Sequence, residues 1–177
     1  MLKPLYFLVS LLLTLPVIAQ KSVVQDDKLN GIIPLDSEGK PAYQVNNNVE
    51  GATKDELFKR ARKWFVKTYN APQDVLQVND SSSGVLTGTG SQRTPVKYQG
   101  LDWQGNMEHT LSVKVKEGKY QISLTDLKVE GNPLQSYQLP NAAQNQAPYT
   151  ALYRAIDQHN RSLIASLEKA LATSTDF

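Results

Sequence analysis

Residues 107–127 read MEHTLSVKVKEGKYQISLTDL, and their period decides the fold. His109, Leu111, Val113 and Val115 alternate with Glu108, Thr110, Ser112, Lys114 and Lys116, which places the first set on one face of a half-buried strand. Tyr120, Ile122 and Leu124 repeat the alternation against Lys119, Gln121, Ser123 and Thr125, and Glu117 with Gly118 supplies the turn between them. The product is a β-hairpin with one apolar and one polar face. An isolated hairpin is marginal in water, so its apolar face requires further strands beside it and helices over it.

Upstream, Thr53, Lys54, Asp55 and Glu56 form a capping box, in which the threonine hydroxyl and the glutamate carboxylate each serve the other's backbone amide. A helix is therefore predicted from there, with Leu57, Ala61, Trp64 and Phe65 at helical spacing. It ends near Tyr69, because Pro72 disfavours a helical Ala71. Lys59, Arg60, Arg62, Lys63 and Lys67 fall off the apolar stripe and read as a solvated face. Ahead of the helix, residues 42–50 (AYQVNNNVE) alternate as a first strand.

Residues 75–79 and 85–91 form a second strand pair, joined by the turn-formers Asp80, Ser81, Ser82, Ser83 and Gly84. Leu86, Gly88 and Gly90 share one face of the latter strand, and glycine there signals a bulge or a close approach. A phosphate loop over residues 84–90 is excluded, since no Lys follows and the strand-turn-helix context is missing. Residues 93–106 (RTPVKYQGLDWQGN) read as a loop or irregular strand, and residues 130–148 as a long surface connection. Residues 149–172 then give a long helix with the stripe Leu152, Ile156, His159, Leu163, Ile164, Leu167 and Leu171, and residues 173–177 form a frayed tail. Short links between the last four strands make them antiparallel. The predicted class is α+β: an antiparallel sheet of about five strands with two helices on one face, in the order β-α-β-β-β-β-α.

The 177 residues are 40% hydrophobic and 20% charged with net charge +2, values of an ordinary globular domain too near balance to indicate nucleic acid. Lys3, the apolar run over residues 5–15 and the small Ala19 predict a secretory signal peptide over residues 1–19. Pro16, Gln20 and Lys21 end the run short of the ~20 apolar residues a membrane span needs. Residues 20–40 then read as a flexible leader, with a short apolar patch at Ile32, Ile33 and Leu35 placed to lie against a single domain over 41–172. Cysteine is absent, which excludes disulfides, a thiol nucleophile and a lipoprotein anchor, and points to a bacterial envelope. The expected location is the periplasm or the cell surface, with no transmembrane segment after cleavage.

Several stretches together resemble an exported bacterial family of unknown function whose domain has a TATA-binding-protein-like (TBP-like) fold. The carriers are TKDELFKRARKWFVKTY at residues 53–69, GVLTGTGSQ at 84–92, HTLSVKVKEGKYQISLTDLK at 109–128, and the closing helix. The resemblance spans residues 41–172 and implies the same β-α-β-β-β-β-α sandwich. It brings no catalytic residues, because the family has no established activity, and the name of the fold does not carry DNA binding with it.

For chemistry the chain offers two histidines, His109 on the hairpin's apolar face and His159 on the stripe of the last helix. Brought together they could transfer protons or hold a metal, but neither has a carboxylate at ligand spacing, and a satisfied core histidine is the commoner fate. No Gly-x-Ser-x-Gly elbow and no paired carboxylate motif occurs. Trp64, Phe65 and Tyr69 read as core. No catalytic, cofactor or metal residue is assigned. The first expectation is a non-enzymatic binding or interaction module whose partner, a protein or small molecule of the cell envelope and not a nucleic acid, is unknown. The alternative is a carrier of a small apolar ligand between sheet and last helix. In that case Leu86, Leu111, Ile156, His159 and Leu163 would line the pocket, and Gly88 and Gly90 would enlarge it by withholding side chains. An enzyme ranks third.

Overall fold

The computed structural model describes residues 28–69, 76–98, 101–136 and 146–173. The predicted signal peptide, the first part of the leader, the middle of the 130–148 connection and most of the tail lie outside them. The elements are β1 (Lys28–Leu29), β2 (Ile33–Pro34), β3 (Tyr43–Asn48), α1 (Lys54–Tyr69), β4 (Leu76–Asp80), β5 (Val85–Tyr98), β6 (Leu101–Lys116), β7 (Lys119–Val129), β8 (Asn132–Pro133), a 3-10 turn (Leu134–Ser136) and α2 (Gln146–Ala172). The main sheet runs β3-β7-β6-β5-β4, with β8 paired to the end of β7, and every pairing is antiparallel. Strand, helix, strand meander and helix thus follow the predicted order.

The central hairpin holds the predicted register, with Leu111 opposite Leu124, Val113 opposite Ile122 and Lys116 opposite Lys119. Gly118 takes φ +66° in the turn, a conformation that costs glycine little. The turn is also a clamp, because Gly118 N donates to Ala52 O and Val49 N donates to Gly118 O. Glu117 Oε2 accepts from Lys54 N at 3.1 Å, so the hairpin satisfies one of the free amides that open α1.

The capping box forms as its sequence requires. Thr53 Oγ1 accepts from Glu56 N at 3.2 Å, and Glu56 Oε2 accepts from Thr53 N at 2.8 Å. These hydrogen bonds hold the Glu56 carboxyl below its ordinary pKa. Thr53→Ala removes the hydroxyl acceptor and is expected to lower stability by about 1 kcal/mol, read from the midpoint of urea unfolding at constant m.

Both helices cover one face of the sheet. Leu57, Phe58, Ala61, Trp64 and Phe65 of α1 and Leu152, Tyr153, Ile156, Ile164, Leu167 and Leu171 of α2 are buried in one cluster with Leu86, Leu111, Val113, Ile122 and Leu124 of the sheet. Polar bonds fix the layers to one another. Trp64 Nε1 donates to Ser166 Oγ at 3.0 Å, Arg60 Nη1 to Leu171 O at 2.8 Å, Tyr43 OH to Asp157 Oδ1 at 2.9 Å and Tyr120 OH to Glu168 Oε1 at 3.1 Å.

Three expectations are corrected. Residues 93–106 are neither loop nor irregular: β5 and β6 pair continuously from Val85 opposite Lys114 to Tyr98 opposite Leu101. Thr94 and Val96 point inward, and among the described residues β4 accompanies β5 only as far as Gly88, so no described strand there calls on Pro95 for a ladder hydrogen bond. The second half of the supposed leader is built into the domain. Asn30 and Gly31, at φ 53° and 68°, turn β1 into β2 and bury Ile33 completely. On α2 the buried stripe passes through Asn160, while His159 and Leu163 sit half-buried on its flank.

Candidate functional site

The two places with chemistry lie on opposite faces of the sheet. On the covered face, α1 ends with Tyr69 above the point where Gly90 of β5 pairs with His109 of β6. The Tyr69 hydroxyl and His109 Nε2 are 2.7 Å apart. A Cβ at Gly90 would overlap both the Tyr69 ring and the imidazole, so the space this glycine leaves is filled by the pair. That corrects the expectation that Gly90 enlarges a cavity. His109 is only 3% exposed, and burial, aided by nearby His159, pushes its pKa down to about 4. Burial also raises the Tyr69 phenol far above its ordinary value and lowers His159. At neutral pH both rings of the pair are uncharged, and the phenol occupies Nε2. The sequence placed the two histidines on inward faces, and the fold does bring them near each other.

Opposite His109, β7 carries an extra residue: Glu108 pairs with Lys128 and Thr110 with Thr125, leaving Asp126 and Leu127 across from one histidine. Asp126 takes φ 52° there, a conformation that Asp tolerates better than most residues. A cleft of about 350 Å³ opens at this bulge on the face away from the helices, between Thr89, Ser91, Glu108, Asp126 and Lys128, and reaches the Tyr69–His109 pair past Gly90. Among the described residues no cluster of three His, Asp or Glu side chains could hold a metal ion.

Leu86, Leu111 and Ile156, expected to line an apolar pocket, are packed into the core, and His159 and Leu163 lie half-buried beside it. None of these five lines any of four clefts among the described residues.

The other face of the sheet is left open by both helices. Its residues are polar along the central hairpin: Thr110, Ser112, Lys114 and Lys116 face Thr125, Ser123, Gln121 and Lys119. At the hairpin end β3 extends this surface, so that Asn46, Gln121 and Lys114 form one row and Asn48, Lys119 and Lys116 the next. A cleft of about 450 Å³ lies over these rows. The lysines were legible in the sequence as outward residues. The asparagines joined them only through the pairing of β3 with β7, a contact between strands more than 70 residues apart for which the local pattern holds no signal.

An antiparallel sheet with two helices on one face and the other face open defines a TBP-like domain. Residues 43–130 match the family described as "Domain of unknown function (DUF4468) with TBP-like fold", and this part of the chain belongs to that family. A TBP-like protein from Parabacteroides distasonis is similar in structure, with TM-score 0.65 at 14% identity over 80% of this chain and 98% of its own. A DUF4468 family protein from Bacteroides ovatus gives TM-score 0.63 at 14% identity, over 82% and 93% of the two chains. At such identity the likeness concerns the fold alone. No curated protein matches the chain. No helix among the described residues is long and apolar enough to cross a membrane.

Proposed function

We propose that this chain is an exported, non-enzymatic binding module of the bacterial envelope, and that the open face of its sheet is the binding surface. The observation that carries the reading is the contrast between the two faces. One is closed by α1 and α2 over a continuous apolar core, while the other presents rows of Thr, Ser, Asn, Gln and Lys that no element covers among the described residues. The sequence reading of a signal peptide cleaved after Ala19 supports export. The phenol on Nε2 of His109 argues for a structural role of that pair and against a free general base.

Amide chemical-shift mapping tests the surface, with the mature protein titrated against a glycan and metabolite extract of its own host's envelope. Shifts confined to Thr87, Thr110, Ser112, Ser123 and their neighbours on the open face are expected. Shifts centred on Leu86, Leu111, Ile156 and Leu163 would mean an apolar ligand under α2, and the carrier reading would replace this one. Recovery of the protein from the cytoplasm with Met1 retained would remove export from the proposal.

A further inference from the structure

We infer that the hairpin end of the open face binds an acidic saccharide, a sugar chain bearing carboxylate or phosphate groups, through Lys114, Lys116, Lys119, Asn46, Asn48 and Gln121. This rests on the reading of the open face as the binding surface and names its ligand class. Lys116 and Lys119 are direct cross-strand partners, an arrangement of like charges that destabilises a sheet, and Lys114 stands two residues along the same strand face. Neighbouring strands lie about 4.8 Å apart and alternate residues about 6.8 Å along a strand. The three ammonium groups are thus gathered within one small ligand's reach.

The nearby acids are directed elsewhere and form no ion pair with them. Glu117, in the hairpin turn itself, is directed to the amide of Lys54. Asp80, at the far end of the Lys114 row, accepts from Ser82 and Ser83 with both carboxylate oxygens. Among the described residues none of the three lysines forms an ion pair. Among the described residues the three ammonium groups are therefore not tied up in ion pairs, and amides flank them.

The amides choose among anions. An ammonium donates only, so it recognises charge, whereas Asn and Gln donate and accept and so match hydroxyl groups, which do the same. Asn46, Gln121 and Asn48 beside the lysines suit a ligand that is both anionic and hydroxylated. A membrane surface fits poorly, because Val78, on β4 away from the cleft, is the one large hydrophobic side chain exposed among the described residues. Single-stranded nucleic acid needs exposed aromatic platforms for its bases, and Tyr120, the aromatic residue at this cleft, is buried with its hydroxyl bonded to Glu168.

The experiment is amide chemical-shift titration of the mature chain with tetragalacturonate, a neutral dextran oligomer, inorganic phosphate and a short DNA duplex. Tetragalacturonate is expected to move the amides of the two rows saturably, with affinity falling as salt rises, and dextran to move none. The triple variant K114Q/K116Q/K119Q, which removes only exposed charge and relieves repulsion, should stay folded and bind at least tenfold more weakly. Asn46→Ala with Gln121→Ala should weaken the saccharide severalfold while leaving phosphate unchanged. The inference is overturned if tetragalacturonate produces no saturable shifts, if the triple variant binds as well as the parent, or if DNA binds more tightly than the saccharide. Shifts on the open face with envelope extract, but none with tetragalacturonate, would defeat the ligand class and leave the surface standing. Shifts in the interior would defeat both.

Discussion

Lowering the pH from 7 to 4 is expected to cost the fold about 3 kcal/mol through His109 alone. Its imidazole is 3% exposed and titrates at about 4 in the folded chain, against about 6.5 when unfolded. The difference of about 2.5 units corresponds to about 3 kcal/mol at ~1.4 kcal/mol per unit. The sign follows from proton counting: between these two values the unfolded chain binds the proton and the folded chain does not, so stability rises with pH across the window. The contribution is fully present above about pH 6.5, is lost progressively down to about 4, and changes no further below that. His159, also lowered by burial, adds in the same direction. Carboxylates held low by hydrogen bonds, such as Glu56 and Asp80, act mainly below this window. Urea unfolding at pH 7, 6, 5 and 4 reads the slope, and His109→Gln, which keeps a polar partner for Tyr69 but cannot titrate there, should flatten most of it. A parent protein equally stable at pH 6.5 and 4.5 would show that the imidazole is not held neutral by burial.

This buried pair marks the limit of what the sequence discloses. Period-two alternation in residues 107–127, the capping box at Thr53 and the apolar stripe of the last helix are local signals, and each became the predicted element because tertiary packing agreed with it. The extension of β5 and β6 was concealed by Pro95 and by glycines, which look like breakers until the pairing shows that, among the described residues, no strand other than β6 runs beside the proline. Asn30 with Gly31 was a hairpin signal in plain view, outweighed by the polarity of the surrounding leader. On α2 the four-residue step from Ile156 to Ile164 passes through Asn160, and a polar residue in the buried row diverted the reading to His159 and Leu163 on the flank. The open-face site was half legible: its lysines follow from the strand period, but their asparagine neighbours come from a pairing that only the folded chain reveals.

Gly90→Ala is expected to destabilise the fold by about 3 kcal/mol, and the sign of this change separates a packed interior from a hollow one. Within a strand, alanine in open space is better than glycine by ~0.5–1 kcal/mol, because the unfolded chain has less freedom to lose. Had Gly90 been kept to leave room for a ligand, the substitution would therefore stabilise the unliganded protein. The added Cβ instead meets the Tyr69 ring and the His109 imidazole. Forcing a methyl group into a packed site costs ~1–3 kcal/mol, and separating the phenol from Nε2 strands two buried polar groups at a further ~1–3 kcal/mol. These outweigh the gain in backbone entropy. Replacing Tyr69 by Leu removes the ring edge and the hydroxyl that holds the imidazole in place, leaving only the overlap with a ring now free to turn, so Gly90→Ala should cost less in a Tyr69→Leu background. The coupling between the two positions, measured by urea unfolding of the four proteins at pH 7, should exceed 1 kcal/mol. A stabilising Gly90→Ala with no coupling to Tyr69 would mean that the space under α1 is empty, and would return the apolar carrier to first place.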